Sequence, residues 1–277
     1  MSNSWAQLAR LPTLLRLGAF LLALAGLWLP LALPLYLWLR ADANATTIAV
    51  MGWLFLCFLV LVPLWGRRVY GRAHPYAAYG LGFSRAHGQD TLLGLVLGFL
   101  LPFLLFLLLG GVGWLRWQSP AMNLLRVAAE GSLTGLGVGL AEELVFRGWL
   151  LDELHRDYRP VIARWSNALL FASLHFLKPL PEIWRTLPQF PGLVLLALAL
   201  LWGKEWRGDR LGFPIGLHGG LVWGYYVINV GGLIAPTGRV SPWLTGVDGN
   251  PLAGAGGLVL LTVLALGLRQ RARRARA

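Results

Sequence analysis

Apolar residues fall in eight long runs separated by short charged or turn-rich stretches. The runs cover about 14–39, 46–65, 91–114, 124–151, 165–177, 191–203, 211–231 and 252–268. Most reach the ~20 residues a helix needs to cross a bilayer core, and the fifth and sixth are short. The pattern predicts an all-α polytopic membrane protein with about eight transmembrane helices. Ala41-Asp-Ala43 resembles a signal-peptide cleavage site, but the apolar stretch before it, Leu17 to Leu39, is 23 residues. A secretory signal has an apolar core of roughly 7–15, so the segment reads as a retained anchor.

The polar positions between the runs set an orientation. Arg10 and Arg16 precede the first run, Arg67, Arg68, Arg72 and Arg85 follow the second, and Arg156, Arg159 and Arg164 follow the fourth. Lys204, Arg207 and Arg210 follow the sixth, and an arginine-rich tail follows the eighth. The alternate connections are poorer in basic residues: Arg40, Arg116, Lys178 with Arg185, and Arg239. The positive-inside rule then places both termini in the cytoplasm. Tryptophans such as Trp38, Trp65, Trp114 and Trp206 sit near the ends of the runs, where aromatic belts form.

Composition sharpens this. The 277-residue chain is 57% hydrophobic and 13% charged, with mean hydropathy +0.62; soluble domains carry roughly 25% charged residues. A net charge of +12 would raise nucleic acid as a partner of a soluble protein. Here the charges flank apolar runs, so membrane lipids are the expected partners and nucleic acid is not. The only cysteine, Cys57, excludes an internal disulfide and a cysteine metal cluster. The expected organisation is one compact body. Helices 1–3 within 1–120 are not independent, helices 4–7 within 121–231 form a core, and the last helix and basic tail occupy 252–277.

Candidate chemistry centres on Glu142 and Glu143, adjacent in an apolar, glycine-rich run. A charge at bilayer depth costs about 3 kcal/mol on insertion scales, so a carboxylate there is a functional candidate. Glu143 and Arg147 stand at i,i+4, the spacing of a helical ion pair. A structural salt bridge therefore accounts for Glu143 and leaves Glu142 without an evident partner, free for general acid/base work. Counted from the same predicted face, Glu142, His175 and His218 lie roughly 10–15 Å deep. Pro179 and Pro181 stop the fifth segment, so 178–190 is either an outer loop or a segment dipping back toward the site. Gly131, Gly135 and Gly139 favour close helix packing. Gly219 and Gly220 leave room beside His218 for a substrate or a neighbouring backbone. His74, His87 and His155 fall in basic loops and read as solvated.

Glu142-Glu143-Leu-Val-Phe-Arg147, then Phe171-Ala-Ser-Leu-His175, then His218 in a later span, resemble the CPBP family of intramembrane proteases. That family includes the CAAX prenyl endopeptidases and bacterial Abi-type bacteriocin-processing or self-immunity proteins. The resemblance covers about 125–231. It implies an eight-helix fold in the inner (plasma) membrane of a bacterium, with a cavity facing the cytoplasm. The implied activity is an endopeptidase acting on a membrane-associated prenyl- or leader-type protein. Glu142 would activate the water, His175 and His218 would complete the catalytic set, and Glu143, Arg147, Phe171 and Asn167 would support it. The family's last motif reads His-x-x-x-Asn, whereas the fourth residue after His218 is Val222. Asn229 lies about 16 Å further along a helix, so an oxyanion donor must come from elsewhere, with Asn167 a candidate.

Two mechanisms fit the residues. A glutamic one needs no cofactor and is favoured. A zinc one would use Glu142, His175 and His218 as ligands with an open fourth position and would demand that Glu143 be the base as well as the partner of Arg147. There is no His-Glu-x-x-His motif. A proton- or ion-coupled transporter, or a non-catalytic scaffold or immunity protein of the same frame, are the alternatives.

Overall fold

The structure, a computed structural model, describes residues 4–276. The principal helices are α1 (Thr13–Leu39), α2 (Ala43–Tyr70), α3 (Arg85–Gly111), α4 (Leu124–Glu143), α5 (Leu151–Asp157), α6 (Pro160–Leu174), α7 (Leu180–Thr186), α8 (Phe190–Trp206), α9 (Gly212–Val230) and α10 (Ala255–Arg276). A π-helical segment, Leu144–Leu150, joins α4 to α5 without a break. Two short strands, β1 (Leu115–Trp117) and β2 (Ile234–Pro236), pair antiparallel.

Among the described residues six helices are long and apolar enough to cross a membrane: α1, α2, α3, α4 continued through α5, α7 continued through α8, and α10. The chain is thus an all-α polytopic membrane protein. The other two expected segments are helical as well. α6 has 15 residues, and the apolar character of α9 is diluted by its glycines and His218. Helices outrun the apolar runs at charged ends: α2 continues past Arg67 and Arg68, α3 starts at Arg85, and α10 runs to Arg276. Arginine is a good helix former, so hydropathy falls there while the backbone hydrogen bonds continue.

The chain divides into two compact units. The first runs to Tyr79 and includes Asp152–Tyr158. Within it α1 and α2 pair across a tight turn capped by Asp42, whose Oδ1 accepts from the backbone of Asn44 and Ala45 at 3.0 Å. Phe20 packs edge-on against Phe58 and Trp65. Arg16 does not precede the first helix as a loop charge; it is buried one turn inside α1. Its charge is met by Glu153 at 3.0 Å and Asp157 at 3.3 Å. Tyr70 and Trp65 also donate to Glu153.

The second unit holds Gly80–Leu151 and Arg159 onward. α9 lies at its centre, with α3 on one face and α4 on another. The contacts are backbone to backbone. A Cβ on Gly219 would stand 2.8 Å from Gly135 O on α4, and one on Gly220 would stand 2.3 Å from Leu95 O on α3. The room beside His218 is therefore taken by neighbouring main chain. On the far sides α8 packs against α10 and α6. The β1–β2 pair ties the connection after α3 to the connection after α9. At the opposite end of α3, Asp90 is held by Arg207 and Arg210, and Glu205 lies 3.7 Å from Arg164 and 3.4 Å from Arg276. The arginine-rich connections of this unit thus meet at one end. His87 is not a solvated loop residue: α3 begins at Arg85, capped by Ser84, and its first turn buries the imidazole. His74 and His155 are exposed.

Candidate active site

The site is assembled on α4, α6 and α9. Glu143 ends α4 and is fully buried. Its Oε1 accepts from Arg147 Nη1 at 3.0 Å and lies 2.8 Å from His218 Nδ1. The expected i,i+4 ion pair is present, and the same oxygen also holds an imidazole from α9. A carboxylate only accepts, so His218 Nδ1 carries the proton and its Nε2 faces away from Glu143. His175 caps the end of α6, with Nδ1 2.8 Å from Phe171 O. A carbonyl also only accepts, so His175 presents Nε2 outward in the same way.

Both Nε2 atoms point at Glu142. Glu142 Oε2 is 3.9 Å from His175 Nε2 and 4.0 Å from His218 Nε2. These separations are too long for direct hydrogen bonds. One water making two bonds of about 2.8 Å at roughly a right angle spans such a gap. Glu142 Oε2 has no hydrogen-bond partner in the protein. Glu142 and His175 are 30% and 34% exposed, while His218 is buried. Ligand atoms on a tetrahedral zinc at 2.0–2.1 Å stand about 3.4 Å apart, closer than these groups are. Among the described residues no set of three His, Cys, Asp or Glu side chains has metal-holding geometry.

Phe171 is the packing hub. Its ring centroid is 4.7 Å from His175 and 6.1 Å from His218. The Arg147 guanidinium carbon sits 4.2 Å above the same ring. A desolvated cation–π contact of this kind contributes about 2 kcal/mol. One aromatic side chain thus fixes both imidazoles and the arginine that neutralises Glu143.

The π-helix explains the remaining support. Widening the turn from i→i+4 to i→i+5 bonding changes which carbonyls the helix itself can satisfy. Two of them are met from other helices: Phe146 O accepts from Asn167 Nδ2 at 2.7 Å, and Arg147 O accepts from Lys204 Nζ at 2.7 Å. Irregular backbone at membrane depth persists only where protein satisfies it in this way. Asn167 was a candidate oxyanion donor on sequence grounds. It is fully buried, its amide is engaged by Phe146 O, and it lies outside the cavity lining. Lys204, which the sequence places in a loop, is buried inside α8.

Glu142, His175 and His218 open onto one cavity of about 280 Å³. Its walls are mostly apolar, with Leu196, Leu221 and Leu261 among them, and Val222 occupies part of the wall next to the site. Gln189, Tyr225 and Asn250 add polar groups that sequence reasoning did not single out. Gln189 follows α7, so the 178–190 segment returns to the cavity rather than forming a detached loop.

With this geometry in view, residues 123–238 match the family model of the type II CAAX prenyl endopeptidase Rce1-like proteins. The matched stretch, fewer than half of the chain's residues, holds α4, α6 and α9 with every residue of the cluster. Searches of curated proteins and of solved structures return no match.

Proposed function

We propose that the chain is a glutamic-type intramembrane endopeptidase that cleaves a peptide bond in a membrane-associated protein, of prenyl- or leader-type, by Glu142-activated water. The observation that carries this reading is the free Glu142 Oε2, set at equal distance from two Nε2 atoms whose Nδ1 sides are already engaged.

In the proposed reaction a water lies between Glu142 and the imidazoles, positioned by His175. Glu142 takes one of its protons as the water oxygen bonds to the scissile carbonyl carbon. The carbonyl oxygen becomes an oxyanion and accepts a hydrogen bond from His218 Nε2–H; this step needs His218 to enter with a second proton, on Nε2, and Glu143 faces the resulting cation through Nδ1–H. When the C–N bond breaks, Glu142 returns its proton to the leaving nitrogen. Glu143 and Arg147 position His218 and do not touch substrate. The zinc alternative would need the three groups to close by about half an ångström and Glu143 to leave Arg147 and His218, so the spacing supports the metal-free reaction.

In the proposed topology eight helices span the inner membrane of a bacterium, both termini and the cavity mouth lie on the cytoplasmic side, and 121–231 is the catalytic core. Reporter fusions at residues 156, 207 and 275 should read cytoplasmic, and those at 43, 118 and 245 external. The test of activity is incubation of purified protein with a panel of membrane peptides, with and without chelator. Cleavage that survives chelation and vanishes in Glu142→Gln is the expected result. Val222 favours a second reading, a non-catalytic protein of the same frame, because an apolar side chain lines the wall where a further donor would help. Absence of cleavage across the panel by a well-folded protein would select that reading.

A further inference from the structure

A second cavity system lies away from the catalytic cluster, at the arginine-rich end of the second unit. An apolar trough of about 520 Å³ runs between α3 and α10, lined by Leu93, Leu97, Phe213, Val263 and Leu264. Gly267 forms part of its floor, and a Cβ there would meet nothing within 4 Å. Trp206, Gly267 and Arg271 are shared with an adjoining hollow of about 590 Å³ lined also by Gln270 and Arg274. The two spaces form one slot, apolar along its length and cationic at its end.

The charge balance at that end identifies the occupant. Asp90 is bonded to both Arg207 and Arg210, and Glu205 is shared by Arg164 and Arg276. Each carboxylate already serves two guanidinium groups. Arg271 and Arg274 make no ion pair among the described residues. Arg271 instead stacks on the Trp206 ring, 4.8 Å from its centroid. An indole at the end of an apolar helix beside guanidinium groups that make no ion pair is an arrangement suited to receive a lipid phosphate.

We propose that this slot binds a membrane phospholipid with a net-negative headgroup. One acyl chain lies in the α3–α10 trough over Gly267, and the phosphate sits between Arg271 and Arg274. Asp209 also lies at this end but forms no ion pair with Arg271 or Arg274 among the described residues, so an anionic lipid supplies the charge these two arginines lack, and its chain covers the apolar floor. A zwitterionic lipid fits the trough but brings its own cation to the arginines.

The test uses the full-length protein in detergent, followed by native mass spectrometry during titration with phosphatidylglycerol and, in parallel, phosphatidylcholine of identical chains. Wild type should retain phosphatidylglycerol at least fivefold better. Each arginine near the surface contributes about 1 kcal/mol to anionic-lipid attraction, a factor of about five, so the double variant Arg271→Gln/Arg274→Gln should bind phosphatidylglycerol on the order of 25-fold more weakly. Gly267→Trp should block both lipids with unchanged thermal unfolding, because its side chain enters open space. Inorganic phosphate at millimolar concentration should not compete. Equal affinity for the two lipids, full binding by Gly267→Trp, displacement by phosphate alone, or a lipid-free dimer that Gly267→Trp dissociates would each overturn the assignment.

Discussion

Glu143 and Glu153 are both fully buried carboxylates, ten residues apart in sequence, and they are satisfied in different ways. Glu153 accepts from Arg16 at 3.0 Å, Trp65 at 3.1 Å and Tyr70 at 2.7 Å, so both of its oxygens are used. Around Glu143 the bonding is lopsided. Oε1 serves both Arg147 and His218, while Glu143 Oε2, Glu142 Oε2 and two Arg147 nitrogens have no hydrogen-bond partner. Leaving buried polar atoms unbonded costs on the order of 1–3 kcal/mol each. The first cluster is closed and serves cohesion. The second keeps bonding capacity open beside a cavity, which suits the proposed uptake of water and a substrate carbonyl.

The widest consequence is expected at Glu143. Glu143→Gln removes the charge facing Arg147 and loosens His218, so it should cost about 3–5 kcal/mol of stability and abolish cleavage; thermal unfolding and peptide cleavage measured on the same preparation test both. Glu142→Gln should separate the two properties, lowering cleavage by 10²–10⁴-fold with an unfolding midpoint close to wild type. Full activity in that variant would remove Glu142 from the mechanism. Glu153→Gln should do the reverse: about 3 kcal/mol of stability lost by leaving Arg16 with Asp157 as its one remaining carboxylate, with cleavage per folded molecule little changed. The smallest effect is expected from Asn167→Leu, which strips Phe146 O of its donor for about 1–3 kcal/mol and should lower cleavage less than tenfold.

The parts of the site that stood out in the sequence did so because charge is conspicuous in an apolar run. Glu142, Glu143 and Arg147 announced themselves, and the histidines followed from depth and motif. The Glu143–His218 contact joins residues 75 positions apart, and no local pattern encodes it. The π-helix was equally hidden. Leu-Val-Phe-Arg-Gly-Trp-Leu reads as ordinary amphipathic helix, and one extra residue per turn leaves no mark on its hydropathy. Arg16 and Lys204 were misplaced for a common reason: a hydropathy window stops at a charge, whereas a helix continues through a charge that finds a partner; His87 was misplaced because α3 begins before the apolar run does. Gly212, Gly216, Gly220 and Gly224 recur every four residues along α9, a packing face that the hydropathy pattern does not reveal.

That glycine spacing bears on mutational robustness. His218 rides on a helix whose distance from both neighbours is set by main chain touching main chain; a Cβ on Gly216 would stand 2.0 Å from Thr91 O. Apolar residues elsewhere on α3, α4 and α9 can drift among leucine, valine and isoleucine without changing that distance, because they are not the spacers. A saturation scan should therefore show a sharp divide, with the glycines almost intolerant and the bulky residues between them permissive. The position of the imidazole is buffered against most of the substitutions a hydrophobic helix accumulates.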